Sequence, residues 1–181
     1  MQIKKLLLSS LLVLTLSATP VLLTGCQSVI DAVGSEVVGE EGEAEDRDFP
    51  GGKAKIDVKL AKGDGDIDKS GSYTKKNDVA LYLHKYGKLP SNFINKAKAK
   101  SLGWKEGESL DSLASGKCIG GDIYLNKDKS LPDNVDYHCC DLETQGKTSR
   151  GNLRLVYATD GAIYYSPNNY RSFTQLYKGK E

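Results

Sequence analysis

The spacing of hydrophobic and polar positions changes several times along this 181-residue chain. An apolar run, LLLSSLLVLTL at 6–16, follows the basic start MQIKK. Residues 27–72 then hold acidic and Gly-rich stretches, GEEGEAEDRDFPGG and KGDGDIDKSGS, which predict a largely disordered linker. From Tyr73 a helical period sets in. TKKNDVALYLHKYGKLP places Val79, Ala80, Leu83 and Tyr86 on one face, with Thr74 as N-cap and Gly87 and Pro90 as the stop. INKAKAKSLGW predicts a second, short helix opened by Asn95 and closed by Gly103, and ESLDSLASGK a third capped near Ser109. After Gly116 the period drops to two, which predicts strands at 117–124, 137–143, 153–158, 162–166 and 172–176, with Asp160-Gly161 as a tight hairpin. Helices first and a meander afterwards mean an α+β domain, its N-terminal helices packed on a five-stranded antiparallel sheet.

The first 26 residues stand outside that domain. A basic start, an apolar stretch and then Leu23-Thr24-Gly25-Cys26 resemble an export signal ending in a lipobox, with Cys26 as the lipidated residue. The organisation expected is therefore a signal at 1–26, an acidic tether at 27–72 and a folded domain at 73–181. The expected location is the outer face of a bacterial membrane, lipid-anchored, or the medium after release. Cys118, Cys139 and Cys140 remain as thiols. One disulfide from Cys118 is compatible with an oxidising compartment, to either neighbour of the adjacent pair.

Charge is uneven although the net is only +1. Residues 27–72 carry 6 basic and 12 acidic side chains, a net of −6, whereas 73–181 carry 17 and 12, a net of +5. A basic domain on an acidic tether points to phosphate-bearing partners. Asp64, Asp66 and Asp68 approach a calcium loop, but Lys69 stands where the pattern needs Gly, and no downstream Glu completes it. No CxxC occurs and the histidines are His84 and His138, so no metal or other cofactor is expected.

Three blocks, DVALYLHKYGKLPSNFINKAKAKSLGW, GKCIGGDIYLNKDKSLP and RLVYATDGAIYYSPNNYRSFT, resemble in order and spacing the barnase-like microbial guanyl-specific ribonucleases. The resemblance covers about residues 73–177. It implies helices on one face of an antiparallel sheet and single-stranded RNA across the other. It makes the loop after IGGDIY a guanine-binding loop. Asn126 would hold the loop's shape, Asp128 would accept from the base where the family has Glu, and Tyr124 would wall it. Lys96, Arg150 and Arg154 match the family's cation cluster, Asp122 an Asp bracing the Lys, and Tyr170 a Tyr near the phosphate.

Cleavage of this type needs a base for the 2′ proton, an acid for the leaving 5′-oxygen and cations for the phosphorane. Three positions depart from the family. Lys127 replaces an Arg, keeping charge but losing bidentate geometry. Asn169 stands at the acid's His position and has no proton to deliver at ordinary pH. In DYHCCDLE, anchoring on Asp141 puts Cys139 at the base's Glu position and sends Cys139, Asp141 and Glu143 to the cleft. Sliding by one puts Cys140 there instead. Substitute bases are a thiolate or Glu143. His138 points away in the first register, and His84 lies on the first helix, remote from the cleft.

Three functions follow: a weakened or rewired endoribonuclease, an RNA-binding module without cleavage, or a decoy that captures an acidic inhibitor protein. A monomer is expected, touching membrane only through Cys26.

Overall fold

The computed structural model describes residues 53–59, 61 and 65–180. The lipobox expected at Cys26, and most of the tether expected at 27–72, lie outside the described residues. Nine elements follow in chain order: β1 (Lys55–Val58), α1 (Lys76–Tyr86), β2 (Phe93–Ile94), α2 (Lys96–Ser101), β3 (Cys118–Ile123), β4 (Tyr137–Asp141), β5 (Arg154–Ala158), β6 (Ile163–Ser166) and β7 (Ser172–Tyr177). The sheet has seven strands in the order β1-β7-β6-β5-β4-β3-β2.

The five predicted strands form its antiparallel centre, β3 to β7. The sheet as a whole is mixed, because β1 pairs parallel to β7 and β2 parallel to β3. The expectation of a five-stranded antiparallel sheet is corrected in that respect. β1 comes from the stretch expected to be linker. Its Lys-Ile-Asp-Val is too short and too exposed to announce itself, and the open edge of β7 supplies its hydrogen bonds.

Alternation along the strands divides the core in two. Cys118, Cys140, Leu155, Ile163 and Leu176 face α1 and pack on its Val79, Ala80 and Leu83. Tyr137, Cys139, Val156, Ala158, Tyr164 and Phe173 occupy the opposite face with Tyr124 and Tyr170. Each buried aliphatic of this kind contributes about 1.5–3 kcal/mol. A third cluster, Ala99, Trp104, Leu110 and Ile119, seats α2 and the segment after it.

α1 ends as expected at Gly87, whose φ of 67° is left-handed and whose N–H bonds to Leu83 O. Its start differs. Lys75 is the N-cap and makes no side-chain cap bond, while the Thr74 carbonyl accepts the Glu143 N–H at 3.0 Å. The third predicted helix does not form. Residues 109–116 make turns because the Asp111 carboxylate bonds the N–H groups of Gly116 (2.8 Å) and Gly146 (2.9 Å), competing with a helical ladder.

β3 carries the bend that matters for the site. Gly120 lies so close to its neighbours that a Cβ there would sit 2.5 Å from Cys140 Cβ and 2.8 Å from Phe93 Cδ1. Gly121 has φ 99°, and the pairing with β4 shifts register between Gly120 and Asp122. This bulge turns Asp122 off the α1 side.

Candidate active site

Lys96 opens α2. Asn95 caps that helix by accepting the Lys98 N–H at 2.8 Å. Both Asp122 oxygens, delivered by the β3 bulge, accept the Lys96 N–H at 3.1 Å. Asp122 is 1% exposed, so it positions Lys96 and has no surface to offer a substrate.

Asp141 ends β4, opposite Arg154 in the β4–β5 ladder. Its carboxylate is fully buried and takes a bidentate pair from Arg150, Nε to Oδ2 at 2.8 Å and Nη2 to Oδ1 at 2.9 Å. Arg154 Nε lies 3.1 Å from the same Oδ1, an ion pair without hydrogen-bond alignment. The Arg154 fork instead donates to backbone: Nη1 to Leu153 O at 2.9 Å and Nη2 to Gly151 O at 3.1 Å. Arg154 therefore shapes the 150–153 turn from a 3% exposed position, and Arg150 and Lys96 stand nearer to solvent at 7% each.

A carboxylate that the sequence reading passed over completes the row. Glu106 reaches Lys96 Nζ with Oε2 at 3.3 Å and pairs through Oε1 with Arg150 Nη1. Its side chain is 55% exposed, against 2% for Asp141. The segment presenting it is pinned on both sides. Trp104, buried in the third cluster, donates from Nε1 to Glu108 O at 2.7 Å, and the Arg150 guanidinium lies 5.7 Å from its ring centroid. Gly107, at φ 92°, turns the chain and accepts the Arg150 N–H at 3.1 Å, and Glu108 bridges Ser149. The only hint in sequence is a Glu just after LGW, on a stretch otherwise rich in Lys.

Cys139 falls on the face of Asp141 and Cys140 on the α1 side, so the register anchored on Asp141 is the one adopted. Cys139 is 3% exposed and its thiol points 3.7 Å from Asp122 O, as a donor. Burial pushes the Cys118 thiol up and the Cys140 thiol well up, and all three are free thiols. Glu143 does not share the cleft. β4 stops at Asp141, Glu143 sits at φ 54°, and its N–H bonds Thr74 at the start of the α1 side. A left-handed residue breaks strand alternation, which is why the two-residue spacing misled.

Tyr124 and Tyr170 are buried, their rings stacked at 5.3 Å, and Arg154 lies 5.8 Å over Tyr170. Tyr124 is thus part of an aromatic floor rather than an open wall. Asn169, half-buried at φ 53°, gives its N–H to Asn152 O at 2.8 Å. Its neighbour Asn168, unremarked in the sequence, holds that turn by accepting the Ser172 N–H at 2.9 Å.

In the loop after β3, Asn126 bonds across the loop to Leu131. At φ 44° its side chain accepts the Leu131 N–H at 3.0 Å and donates to Leu131 O at 2.9 Å. Lys127 is exposed. Asp128 is turned inward onto Ser130, whose hydroxyl it accepts, and Ser130 in turn accepts the Ala54 N–H just before β1. Beside the loop an open cavity of about 390 Å³ is lined by Tyr124, Asn126, Lys127, Lys129, Val135 and Tyr137.

Both histidines lie elsewhere. A larger cavity, about 580 Å³, opens on the α1 side, with His84, His138 and Tyr157 in its wall. His138 contacts Gly121 O at 3.2 Å and stacks on Tyr157 at 5.7 Å, while exposed His84 stacks on Tyr177 at 4.1 Å. The cation row, not cavity size, marks the candidate site.

A ribonuclease family model matches residues 62–177. Ribonucleases from Bacillus intermedius and Bacillus pumilus are each 36% identical over 100 residues, 54% of this chain and 62% of theirs, so the match spans less than two thirds of those relatives. A ribonuclease from Heyndrickxia coagulans is 35% identical over 100 residues that cover 92% of it. The chain belongs to the barnase-like microbial ribonuclease family.

Proposed function

We propose that this protein binds single-stranded RNA with a preference for guanine. It cleaves that RNA by 2′,3′-cyclic phosphate formation, at a rate lowered because neither the acid nor the base stands at its family position. The observation that carries this reading is the gathering of Lys96, Arg150 and Arg154 around Asp141 and Glu106, on the sheet face opposite α1. Lys96 and Arg150 would take the scissile phosphate and stabilise the phosphorane, with Arg154 and Asp122 holding them in place. The loop shaped by Asn126 would read the base, with Lys127 close to the backbone phosphates and Asp128 released from Ser130 to accept from guanine. Tyr170 would support Arg154 from below. Without an acid at Asn169 the leaving 5′-oxygen takes its proton from water.

The same two substitutions, Cys139 and Asn169, favour a second reading: a non-catalytic lipoprotein that binds RNA or an acidic inhibitor protein. In either case export and lipidation at Cys26 place the domain outside the cell. Incubating the full chain with a guanosine-containing oligonucleotide separates the readings, with Lys96→Ala and the restored pair Cys139→Glu/Asn169→His alongside. Cleavage after G that falls at least tenfold in Lys96→Ala supports the enzyme. No cleavage except by the restored pair supports the binder. Tighter binding to an acidic protein than to RNA supports the decoy.

A further inference from the structure

Resting on the proposal that RNA is cut in this cleft, we infer that Glu106 is the general base of the reaction. Among the described residues, the carboxylates of Asp122, Asp141 and Glu106 meet the cation row. Asp122 is fully buried with both oxygens on the Lys96 N–H. Asp141 is fully buried with both oxygens on Arg150. Glu106 alone among the three combines solvent access, 55%, with ion pairs to the two cations nearest solvent, Lys96 and Arg150. A phosphate bound by those two cations lies against the Glu106 carboxylate, and so does the 2′-hydroxyl attached to the same ribose. Cys139, by contrast, offers a buried S–H donor, and the Glu143 backbone lies past the end of β4, bonded to Thr74 just before α1.

The segment is built to hold this geometry. Trp104 anchors it two residues before Glu106, and Gly107 ties it to Arg150 one residue after. The carboxylate therefore arrives from the connection between α2 and β3 instead of from β4.

In the step, a Glu106 oxygen takes the 2′-O–H proton and the 2′-oxygen attacks phosphorus. The P–O2′ bond forms as the P–O5′ bond breaks, and the leaving oxygen departs with its electron pair. Guanosine 3′-(4-nitrophenyl phosphate) tests this directly, because nitrophenolate leaves without a proton and the missing acid no longer limits the rate.

The full chain and its Glu106→Gln variant are compared by kcat, KM and pH–rate profile. RNA affinity and the thermal midpoint are measured on both. A base role predicts that Glu106→Gln lowers kcat about 10²–10⁴-fold, the range for general base catalysis. It also predicts KM within a few-fold, an unchanged midpoint and loss of the acid-side limb of the profile. A variant as fast as the parent, or faster with tighter RNA binding, overturns the inference and makes Glu106 an occluding ion pair. A parent that binds RNA but releases no nitrophenolate overturns it too, while leaving the binding reading intact. A parent that does neither removes the proposed function itself.

Discussion

Asp141 is the residue on which the site's electrostatics rest, since Arg150 and Arg154 both converge on its buried carboxylate. Removing one partner of such a group strands the others. Asp141→Ala is expected to lose about 3–5 kcal/mol in urea unfolding. Arg150→Lys keeps the charge but gives up the two parallel bonds to Asp141 and the contact with the Trp104 ring, so it should weaken both stability and phosphate binding. The cysteines behave as packing residues. Cys118, Cys139 and Cys140 are all buried, so native protein should leave them unreactive toward a thiol reagent such as DTNB over minutes. Three thiols of the described region should titrate after denaturation, and fewer would mean that one pair had oxidised.

At the scale of elements, the β3 bulge and the turns around Asp111 set where site residues stand. A methyl at Gly120 would collide with Cys140 and Phe93, both held in the α1-side core. Gly120→Ala should therefore cost about 1–3 kcal/mol, seen as a lower urea midpoint with an unchanged slope. Asp111 joins the 109–116 turns to Gly146, and those two backbone N–H donors hold its carboxyl below the ordinary 3.8. A folded pKa below the unfolded one contributes stability that is present above the unfolded value and lost as pH falls through the folded one. Asp111→Asn should thus lower the thermal midpoint at neutral pH, and the gap to the parent should close in acid below the ordinary carboxylate range. A gap that persists undiminished at low pH would assign the effect to packing.

Across the whole molecule, residues 27–72 carry a net −6 and residues 73–181 a net +5, and the central cations of the site are largely matched by their own carboxylates. RNA affinity should accordingly be modest and steeply salt-dependent. If Lys96, Arg150 and Lys127 take the phosphate contacts, log K against log salt for a single strand should slope at about −2. A flat dependence would mean that the ligand is not held by its phosphates.

Much of this architecture was legible in the chain. The period-two stretches located all five central strands, Gly87 ended α1, Asn95 capped α2, and anchoring β4 on Asp141 sorted Cys139 from Cys140 correctly. Each of these rests on local repetition or on one residue's backbone preference, which neighbours in sequence suffice to express. Thr74, the third helix, β1 and Glu143 were not legible, because in each case a partner distant in sequence decided the outcome. The Thr74 carbonyl went to Glu143, Asp111 to Gly146, and the β1 backbone to the open edge of β7. Glu106 is the plainest instance. By sequence it is a charged residue in a surface turn, and it joins the site only because Trp104 is buried behind it and Arg150 arrives from 44 residues away. The sequence by itself determined the family, the order of the five central strands and which cations would be available. Only the tertiary structure decided which carboxylate meets them, because two charges interact through the distance between them and not through their separation along the chain.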